Sequence, residues 1–309
     1  MQAFVLSGGG NRGGIQAGAL LALIERGVKP KLIVGTSVGA INSVALAADP
    51  TRTGIDRVVR LWQNVRRIDV FPGNPLTVGW RILTGQGSLH DQRNFQHFIR
   101  GMTPTDIKYF ADLHIPCIVT ATKLGSGELH LFGVDRQDLL MDALMASTAV
   151  PPFFAPYRYK GEWLVDGAVV ANLPLVPALE RGAQTIYVLE IMEEHRPAGT
   201  YGLLQTLSSA FRAMLRRQHD MERRIAVLKR RGIAIHTIRL STDPDLAYDN
   251  FRTTAAQVTT GYDITARYLD EQISSASTTN IMAGIVRNLL SQYRNRKPGV
   301  PTPSRSTPT

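Results

Sequence analysis

Short apolar runs alternate along the chain with longer segments in which apolar residues recur every three or four positions. Apolar runs of about four to eight residues, bounded by glycine or polar residues, are typical of buried strands. These runs predict strands over residues 3–7, 32–34, 115–122, 128–132, 184–191 and 233–240. Residues 157–165 predict a hairpin that turns at Lys160-Gly161.

The segments between these strands have the periodicity of amphipathic helices, with Gly27 and Asp49-Pro50 as helix ends and Ser88 to Asp91 as a helix start. Helices are predicted over residues 40–48, 138–146, 251–269 and 280–293. Three more are predicted: one after residue 13, one that contains Phe95, Phe98 and Ile99, and one before residue 233. Alternation of strands and helices predicts an α/β fold with three layers, α/β/α, around a mainly parallel central sheet.

The length of the chain and its changes in composition predict one large domain with a short tail. We assign residues 1–295 to this domain, with a motif-rich core over 1–195 and a helical part over 202–295. Residues 296–309 are rich in Pro, Ser and Thr and predict disorder. Residues 66–88 have no clear periodicity and carry Phe71 and Trp80, which suit either a lipid-facing lid or ordinary packing.

Cysteine content and apolar run lengths limit the class of protein. The only cysteine, Cys117, lies in an apolar run and predicts a buried thiol, which excludes an intramolecular disulfide and favours a reducing compartment. No run approaches the roughly 20 apolar residues of a membrane span, and no basic leader is visible. We therefore expect a cytoplasmic protein with no more than peripheral membrane contact. No calcium-loop or zinc motif occurs, so we expect no metal and no cofactor.

The formal net charge of +10 is concentrated in the segment Arg212–Arg231. Only Asp220 and Glu222 oppose its basic residues, which are Arg212, Arg216, Arg217, Arg223, Arg224, Lys229, Arg230 and Arg231. A solvated helix face explains this segment, and so does a surface that contacts anionic lipid. Nucleic acid would also suit the charge, but no reader motif is present, and we expect no nucleic-acid partner.

A possible nucleophile stands at the end of the second predicted strand. Gly35-Thr36-Ser37-Val38-Gly39 fits the G-x-S-x-G elbow, in which a strand turns sharply into a helix and exposes the serine. Gly35 and Gly39 allow the close backbone approach that this turn needs. The apolar strand before Ser37 and the helix of small residues after it are the context that the elbow requires.

The first predicted strand ends in a loop of glycines, Gly8-Gly9-Gly10-Asn11-Arg12-Gly13. Adjacent glycines can direct successive N–H groups at one anion, which is how an oxyanion hole is built. The same residues satisfy G-x-G-x-x-G, the dinucleotide fingerprint. That alternative expects an acidic residue about 20 positions further on, and residues 31–34 contain none.

Asp166 follows an apolar strand and precedes Gly167-Ala168. An aspartate before glycine is often only a turn former or a helix cap. Together with an elbow serine and a glycine-rich anion loop, however, it is the best candidate for the general base.

The order of these motifs resembles that of the patatin-like phospholipases, a family of lipid acyl hydrolases. G-G-G-x-R-G, G-x-S-x-G and D-G-A occur in the family's order, and intervening blocks match as well. Residues 147–156 resemble the segment S-x-A-x-P…F-x-P, and residues 165–174 resemble V-D-G-G-x-x-x-N-x-P, with Asn172 at the asparagine. Lys123 departs from the acidic position of the family's A-T-D block, and Ala168 replaces a glycine. The resemblance is strong over residues 1–195.

The resemblance implies a patatin-like fold and a Ser–Asp dyad without histidine. Ser37 would be the nucleophile and Asp166 the general base and acid, with Gly167 and Asn172 as supporting residues. The implied oxyanion hole comprises Gly8, Gly9, Gly10, Arg12, Gly13 and Val38. Arg12 would either add positive field or support the loop. The implied substrates are phospholipids, lysophospholipids or related lipid esters.

Two further alternatives remain open from the sequence. An ordinary α/β-hydrolase triad would need a histidine after Asp166. Of His195, His219 and His236, only His195 is suitably placed, at the end of a predicted strand. A catalytically silent membrane-binding module is the other alternative, and the intact motifs argue against it.

Overall fold

Eight strands of the computed structural model form one mixed sheet. They are β1 (Gln2–Leu6), β2 (Leu32–Thr36), β3 (Cys117–Lys123), β4 (Leu129–Phe132), β5 (Tyr157–Tyr159), β6 (Glu162–Asp166), β7 (Thr185–Glu193) and β8 (Ala234–Thr242). Their order is β5-β6-β3-β2-β1-β7-β8, and β4 also pairs with β3. The strands predicted from the apolar runs are all present.

The structure describes residues 1–272 apart from 74–75, 78–79, 81–83, 85–87, 194–202, 229–231 and 243–245. The chain divides into two units, residues 1–266 and 267–309. In the second unit, the described residues 267–272 are helical. The predicted helix over 280–293 and the predicted tail over 296–309 lie outside the described residues.

The sheet is parallel from β3 through β2, β1 and β7 to β8, and antiparallel on the other side. β1 pairs in parallel with β2 and β7, β2 with β3, and β7 with β8. β4 and β6 each pair antiparallel with β3, and β5 pairs antiparallel with β6. The turn between β5 and β6 consists of Lys160 and Gly161, with φ angles of 46° and 89°, as the sequence predicts. This hairpin brings Asp166, the last residue of β6, opposite Ala121 of β3.

Nine helices with complete bounds connect or follow the strands in the described residues. They are α1 (Gly13–Glu25), α2 (Val38–Ala48), α3 (Arg52–Asn64), α4 (Arg67–Val70), α5 (Arg93–Arg100), α6 (Leu140–Ser147), α7 (Ala168–Ala171), α8 (Leu175–Glu180) and α9 (Leu203–Leu228). Residues 254–266 are also helical.

Helix α3 is an element that the sequence interpretation missed. The Thr51 side chain caps it by accepting the N–H of Gly54. Its buried residues Ile55, Val58, Val59 and Trp62 follow the spacing of one helix face. Both the cap and this spacing are visible in the sequence and would have predicted the helix.

Helices cover both faces of the sheet. On one face, Ala3, Val5, Val34 and Val188 form a core with Leu175 and Ala178 of α8. Side chains alternate along a strand, so Phe4, Leu6 and Ile33 point to the opposite face, and all three are fully buried. Helices α1 and α2 pack on that second face. This arrangement is the predicted three-layer α/β/α fold.

Helix α1 and the helix over 254–266 cross at very short distance. A Cβ at Gly18 would overlap the backbone of Val258, and a Cβ at Gly261 would overlap the backbone of Ile15. The two glycines therefore let the helices approach each other more closely than any other residue would permit. None of the described helices combines the length and apolar content needed to cross a bilayer.

Candidate active site

Ser37 occupies a strained turn between β2 and α2. Its backbone angles are φ 56° and ψ −125°, in a region that residues with a side chain rarely adopt. A Cβ at Gly35 would overlap the Ser43 hydroxyl and the Gly39 carbonyl, and a Cβ at Gly39 would overlap the carbonyls of Leu6 and Ser7. The two glycines of the predicted elbow are thus needed for β2, α2 and β1 to meet.

Hydrogen bonds from neighbouring elements hold this turn. The N–H of Ser37 donates to Ser147 Oγ at 2.8 Å. The Thr36 hydroxyl donates to the carbonyl of Ala171 at 2.8 Å, so the Thr120 hydroxyl must be the donor of the 2.6 Å bond between the two threonines. Ser147 begins the motif over residues 147–156, and its bond to the elbow is a role that the sequence does not indicate.

A buried polar network supports the elbow from behind. Asn42 of α2 donates to the carbonyl of Gly13 and to Gln16 Oε1, both at 3.1 Å, and accepts the indole N–H of Trp62 at 2.8 Å. Gln16 donates to the carbonyls of Ser7 and Leu189. These bonds connect α1, α2 and α3 to the end of β1 and to the middle of β7.

Asp166 is fully buried at the end of β6. Its backbone N–H donates to the carbonyl of Ala149 at 3.0 Å, and its carbonyl accepts the hydroxyl of Thr122 at 3.0 Å. Its Oδ1 accepts the N–H of Ala168 at 2.7 Å, at the start of α7. A Cβ at Gly167 would overlap Thr120, so Gly167 allows α7 to pack directly on β3.

Ser37 and Asp166 line the same cavity and influence each other. Burial raises the pKa of Asp166 to about 7, although hydrogen bonding from Ser37 and from the Ala168 N–H acts to lower it. Oδ2 of Asp166 has no hydrogen bond of normal geometry with the described residues. The Ser37 side chain therefore lies close enough to Asp166 to affect the pKa of its carboxyl.

Only some of the backbone N–H groups predicted as oxyanion donors lie at the cavity and are unpaired. Gly9, Gly10 and Val38 line the cavity, and their N–H groups have no partner among the described residues. The N–H of Gly8 donates to the carbonyl of Asn172 at 3.1 Å. The prediction of Gly8 as an oxyanion donor is therefore corrected, because its N–H already forms a bond within the protein.

Gly13 and Arg12 also differ from the prediction that they contribute to the oxyanion hole. Gly13 is the first residue of α1 and is not among the residues that line the cavity, and a Cβ there would overlap Trp62 and Val38. Its role is therefore close packing, which corrects its assignment to the oxyanion hole. The backbone N–H of Arg12 donates to the carbonyl of Gly9 at 3.3 Å, while its buried side chain lines the cavity. Arg12 can thus provide positive charge but no backbone donor.

The cavity next to Ser37 has a volume of about 250 Å³, and eight aromatic side chains contribute to its lining. Phe154 stacks between Phe71 and Phe95, with ring centroids 5.5 and 5.1 Å away. The aromatic lining consists of Trp62, Phe71, Phe95, Phe98, Phe153, Phe154, Tyr248 and Phe251. Phe71 is buried here rather than exposed, whereas Trp80 is exposed. Most of the predicted lid beyond residue 73 lies outside the described residues.

Asn172 connects the glycine loop to α9. Besides accepting the Gly8 N–H, it donates from Nδ2 to His219 Nε2 at 2.8 Å. His219 Nδ1 lies 2.8 Å from Glu190 Oε1, and Arg223 pairs with the other oxygen of Glu190. Burial acts to raise the pKa of Glu190, but its bonds to His219 and Arg223 outweigh burial and lower the pKa.

This buried group was not predicted, because its members lie on separate elements. The sequence pattern indicates no partner for His219. Glu190 is an acidic residue inside an apolar strand run, and this is the one signal of the group that the sequence offers. His195, the candidate for a Ser–His–Asp triad, lies outside the described residues.

Helix α9 has two different faces. Leu215, Gln218, His219 and Glu222 point inward, and Leu215 lines the cavity. Met214, Arg217, Met221 and Arg224 recur at helical spacing on the outer face and are all exposed, the two methionines by about half. Arg223 belongs to the Glu190 pair and not to the outer face, which corrects its place in the predicted basic surface. The side chain of Arg212 and residues 229–231 lie outside the described residues.

Within the described part of the chain, no three His, Cys, Asp or Glu side chains group in a way that could hold a metal ion. Cys117 is buried, as predicted, and burial raises the pKa of its thiol.

Comparisons with known proteins match the part of the chain that contains these motifs. The profile of the family described as Patatin-like phospholipase matches residues 4–179. The chain is 28% identical over 195 residues to lysophospholipase NTE1 of Saccharomyces cerevisiae, which covers 60% of the chain and 10% of that protein. It is 28% identical over 207 residues to human patatin-like phospholipase domain-containing protein 6, covering 65% of the chain and 14% of that protein. The chain thus matches only a small part of the length of these relatives.

Among solved structures, VipD from Legionella pneumophila is similar with a TM-score of 0.49 and 18% sequence identity, over 87% of this chain and 67% of that chain.

Proposed function

Because the chain belongs to the patatin-like phospholipase family, we propose that it hydrolyses carboxylic esters of phospholipids, lysophospholipids or related acylglycerols through Ser37 and Asp166. The observation that carries this proposal is the shared cavity of the two residues. A strained serine and a fully buried carboxylate line one apolar chamber, together with unpaired backbone N–H groups. This combination suits acyl transfer through a covalent intermediate.

In the proposed first step, ionised Asp166 accepts the hydroxyl proton of Ser37 while Ser37 Oγ attacks the ester carbonyl carbon. The alcohol then leaves with the proton from Asp166, and the acyl group stays on Ser37. Burial supports this use of Asp166, because a carboxylate whose pKa is about 7 is a much stronger base than an exposed aspartate.

The N–H groups of Gly9, Gly10 and Val38 are the proposed donors to the oxyanion. They border the cavity and have no partner among the described residues. Val38 is also the first residue of α2, where the helix dipole favours negative charge. The buried Arg12 side chain, which lines the same cavity, adds positive charge. Loss of one such donor costs about 3 kcal/mol in hydrolases that depend on it.

An acyl chain is the substrate part that best suits the aromatic cavity. Its lining offers large apolar surface and few hydrogen-bonding groups apart from those at the serine. The relative in Saccharomyces cerevisiae is named a lysophospholipase, which favours a substrate with a single acyl chain. The product analysis described below determines which acyl position is cleaved and which head groups are accepted.

The outer face of α9 is the proposed contact with anionic membranes. It combines two half-exposed methionines with Arg217 and Arg224, which form no ion pair with the described residues. Apolar and basic side chains on one exposed helix face are typical of interfacial helices. The inner face of the same helix lines the cavity through Leu215, so lipid bound outside would lie close to the site.

Labelling with a fluorophosphonate tests the nucleophile. We expect one label per chain on Ser37, no label in Ser37→Ala, and a fall in ester hydrolysis of about ten-thousand-fold in that variant. Ser126→Ala provides a matched control, because Ser126 lies in the exposed turn before β4. Labelling at another residue, or full activity of Ser37→Ala, would contradict the proposal.

Product analysis by mass spectrometry on a panel of diacyl and lyso phospholipids tests the substrate class. We expect free fatty acid from the unmodified protein and none above background from Asp166→Asn. Release of a head group with the acyl chains still attached would contradict ester hydrolysis at the acyl position.

A further inference from the structure

An unpaired amide oxygen lies beside the candidate nucleophile. Asn172 is 3% exposed, and its Oδ1 has no hydrogen-bond partner among the described residues. A Cβ at Gly8 would overlap this oxygen and would lie 3.2 Å from Ser37 Cβ. Asn172 also lines the cavity that contains Ser37 and Asp166. An acceptor buried without a partner costs about 1–3 kcal/mol, so its position calls for an explanation.

The Glu190–His219 pair fixes which end of the Asn172 amide faces the cavity. Glu190 is ionised, since the pKa of its carboxyl is lowered, and it can only accept hydrogen bonds. Nδ1 of His219 faces Glu190 and must therefore carry a proton, and in the imidazole tautomer with this single proton Nε2 is an acceptor. Asn172 has to present its Nδ2–H to Nε2. Its oxygen is thereby turned away from His219, toward Gly8 and the cavity.

We propose that Asn172 Oδ1 accepts a hydrogen bond from the water that hydrolyses the acyl-enzyme, and that His219 and Glu190 are positioning residues for it. This inference rests on the proposed function, because it requires an acyl group on Ser37. It gives the Asn172 side chain a role only in deacylation, the step in which water releases the acyl group from Ser37.

The number of protons on each nucleophile explains why Asn172 would act in deacylation and not in acylation. The Ser37 hydroxyl has one proton, and Asp166 accepts it during acylation. The attacking water has two O–H groups, so it needs a second acceptor when Asp166 takes the first proton. With Oδ1 holding the second O–H, a lone pair of the water oxygen can be directed at the acyl carbon.

The step balances without any further reactant. The water oxygen bonds to the acyl carbon, Asp166 takes one water proton, and the bond from that carbon to Ser37 Oγ breaks. Asp166 then returns the proton to Ser37 Oγ, and the carboxylic acid leaves with the remaining water hydrogen.

Pre-steady-state kinetics with p-nitrophenyl butyrate test the proposal. The initial burst of p-nitrophenol reports acylation, and the slower phase reports deacylation. We expect Asn172→Leu to keep the burst rate constant within about twofold and to lower the deacylation rate constant about tenfold, as expected for one lost hydrogen bond in the transition state. Asn64→Leu is the matched control, since Asn64 is exposed on α3 and its side chain donates to the carbonyl of Arg60 within the same helix.

Competition between water and methanol separates the proposed role from a structural one. Methanol has a single O–H and does not need the second acceptor. In Asn172→Leu, the ratio of methyl ester to free acid should therefore rise about tenfold. An unchanged ratio, or equal losses in acylation and deacylation, would overturn the proposal.

His219→Phe provides a second route if Asn172→Leu does not fold. It keeps a ring of similar shape but frees the Asn172 amide to rotate, so the methyl ester ratio should rise in the same direction by a smaller factor. No rise would refute the positioning role. Failure of the proposed function is distinguishable, because Ser37→Ala would then retain the burst that the unmodified protein shows.

Discussion

At the scale of single residues, the role proposed for Asp166 opposes activity to stability. Burial disfavours its charged form and raises its pKa to about 7. The same shift strengthens the carboxylate as a base and makes its ionisation unfavourable for the fold. Sites of this kind commonly lower stability for the sake of reactivity.

The pH dependence of hydrolysis should follow the ionisation of Asp166. Because the proposed base must be ionised, we expect kcat/KM to fall about tenfold per pH unit below pH 7 and to level off above it. Release of butyrate from a neutral short-chain ester, measured chromatographically from pH 4 to 9, checks this. A profile with its midpoint near pH 4 would show that Asp166 has an ordinary pKa in the protein.

Stability should respond to pH in the opposite sense. Between about pH 4 and pH 7 the unfolded chain loses the Asp166 proton while the folded chain keeps it, so this residue's contribution to stability falls as pH rises through that window. Asp166→Asn carries no such charge. We expect its free energy of unfolding, relative to the unmodified protein, to increase by on the order of 3 kcal/mol from pH 4 to pH 8. Urea unfolding at the two pH values measures this, and an equal difference at both would contradict it.

At the scale of elements, the crossing of α1 with the helix over 254–266 depends on the absence of two side chains. A methyl group at Gly18 would overlap the backbone of Val258, and backbone cannot rotate away as a side chain can. The helices would have to separate, and buried residues on both sides of the crossing would lose contacts.

Gly18→Ala should therefore destabilise the protein by about 2–4 kcal/mol, despite the better helix propensity of alanine. Gly125→Ala is the control, because a Cβ there meets nothing within 4 Å and φ is not positive. It should change the free energy of unfolding by less than about 0.5 kcal/mol. Chemical denaturation of both variants decides the matter, and equal stabilities would refute the close crossing.

At the scale of the whole molecule, α9 lies between the solvent-facing surface and the cavity that contains Ser37 and Asp166. Its outer face carries Met214, Arg217, Met221 and Arg224, while Leu215 and His219 face inward. If the outer face contacts anionic lipid, charge on that face should govern vesicle binding, and catalysis in free solution should not depend on it.

The double substitution Arg217→Ala and Arg224→Ala should weaken binding to phosphatidylserine-containing vesicles roughly tenfold, since each basic residue near the surface contributes about 1 kcal/mol. Hydrolysis of a water-soluble ester should remain unchanged. Arg60→Ala with Arg100→Ala removes the same charge from exposed positions on α3 and α5. Vesicle co-sedimentation should separate the two pairs, and equal losses would indicate an effect of net charge alone.

The features that were not predicted differ in whether a local sequence signal exists for them. Helix α3 has a capping threonine and an apolar stripe, so it was predictable from local signals. The Asn172, His219 and Glu190 contacts were not, because they join a loop, a helix and a strand that are distant in the chain. The use of the Gly8 N–H by Asn172 is of the same kind.

The sequence by itself determined the alternation of strands and helices, the glycines around Ser37 and the order of motifs that identifies the family. These properties follow from local backbone geometry and from hydrophobic periodicity, which neighbouring residues encode. Only the tertiary structure decided which loop N–H groups stay unpaired, that Asp166 is buried enough to shift its pKa, and that Phe71 lines the cavity. Pairing, burial and dielectric environment depend on residues that folding brings together, and no local pattern records them.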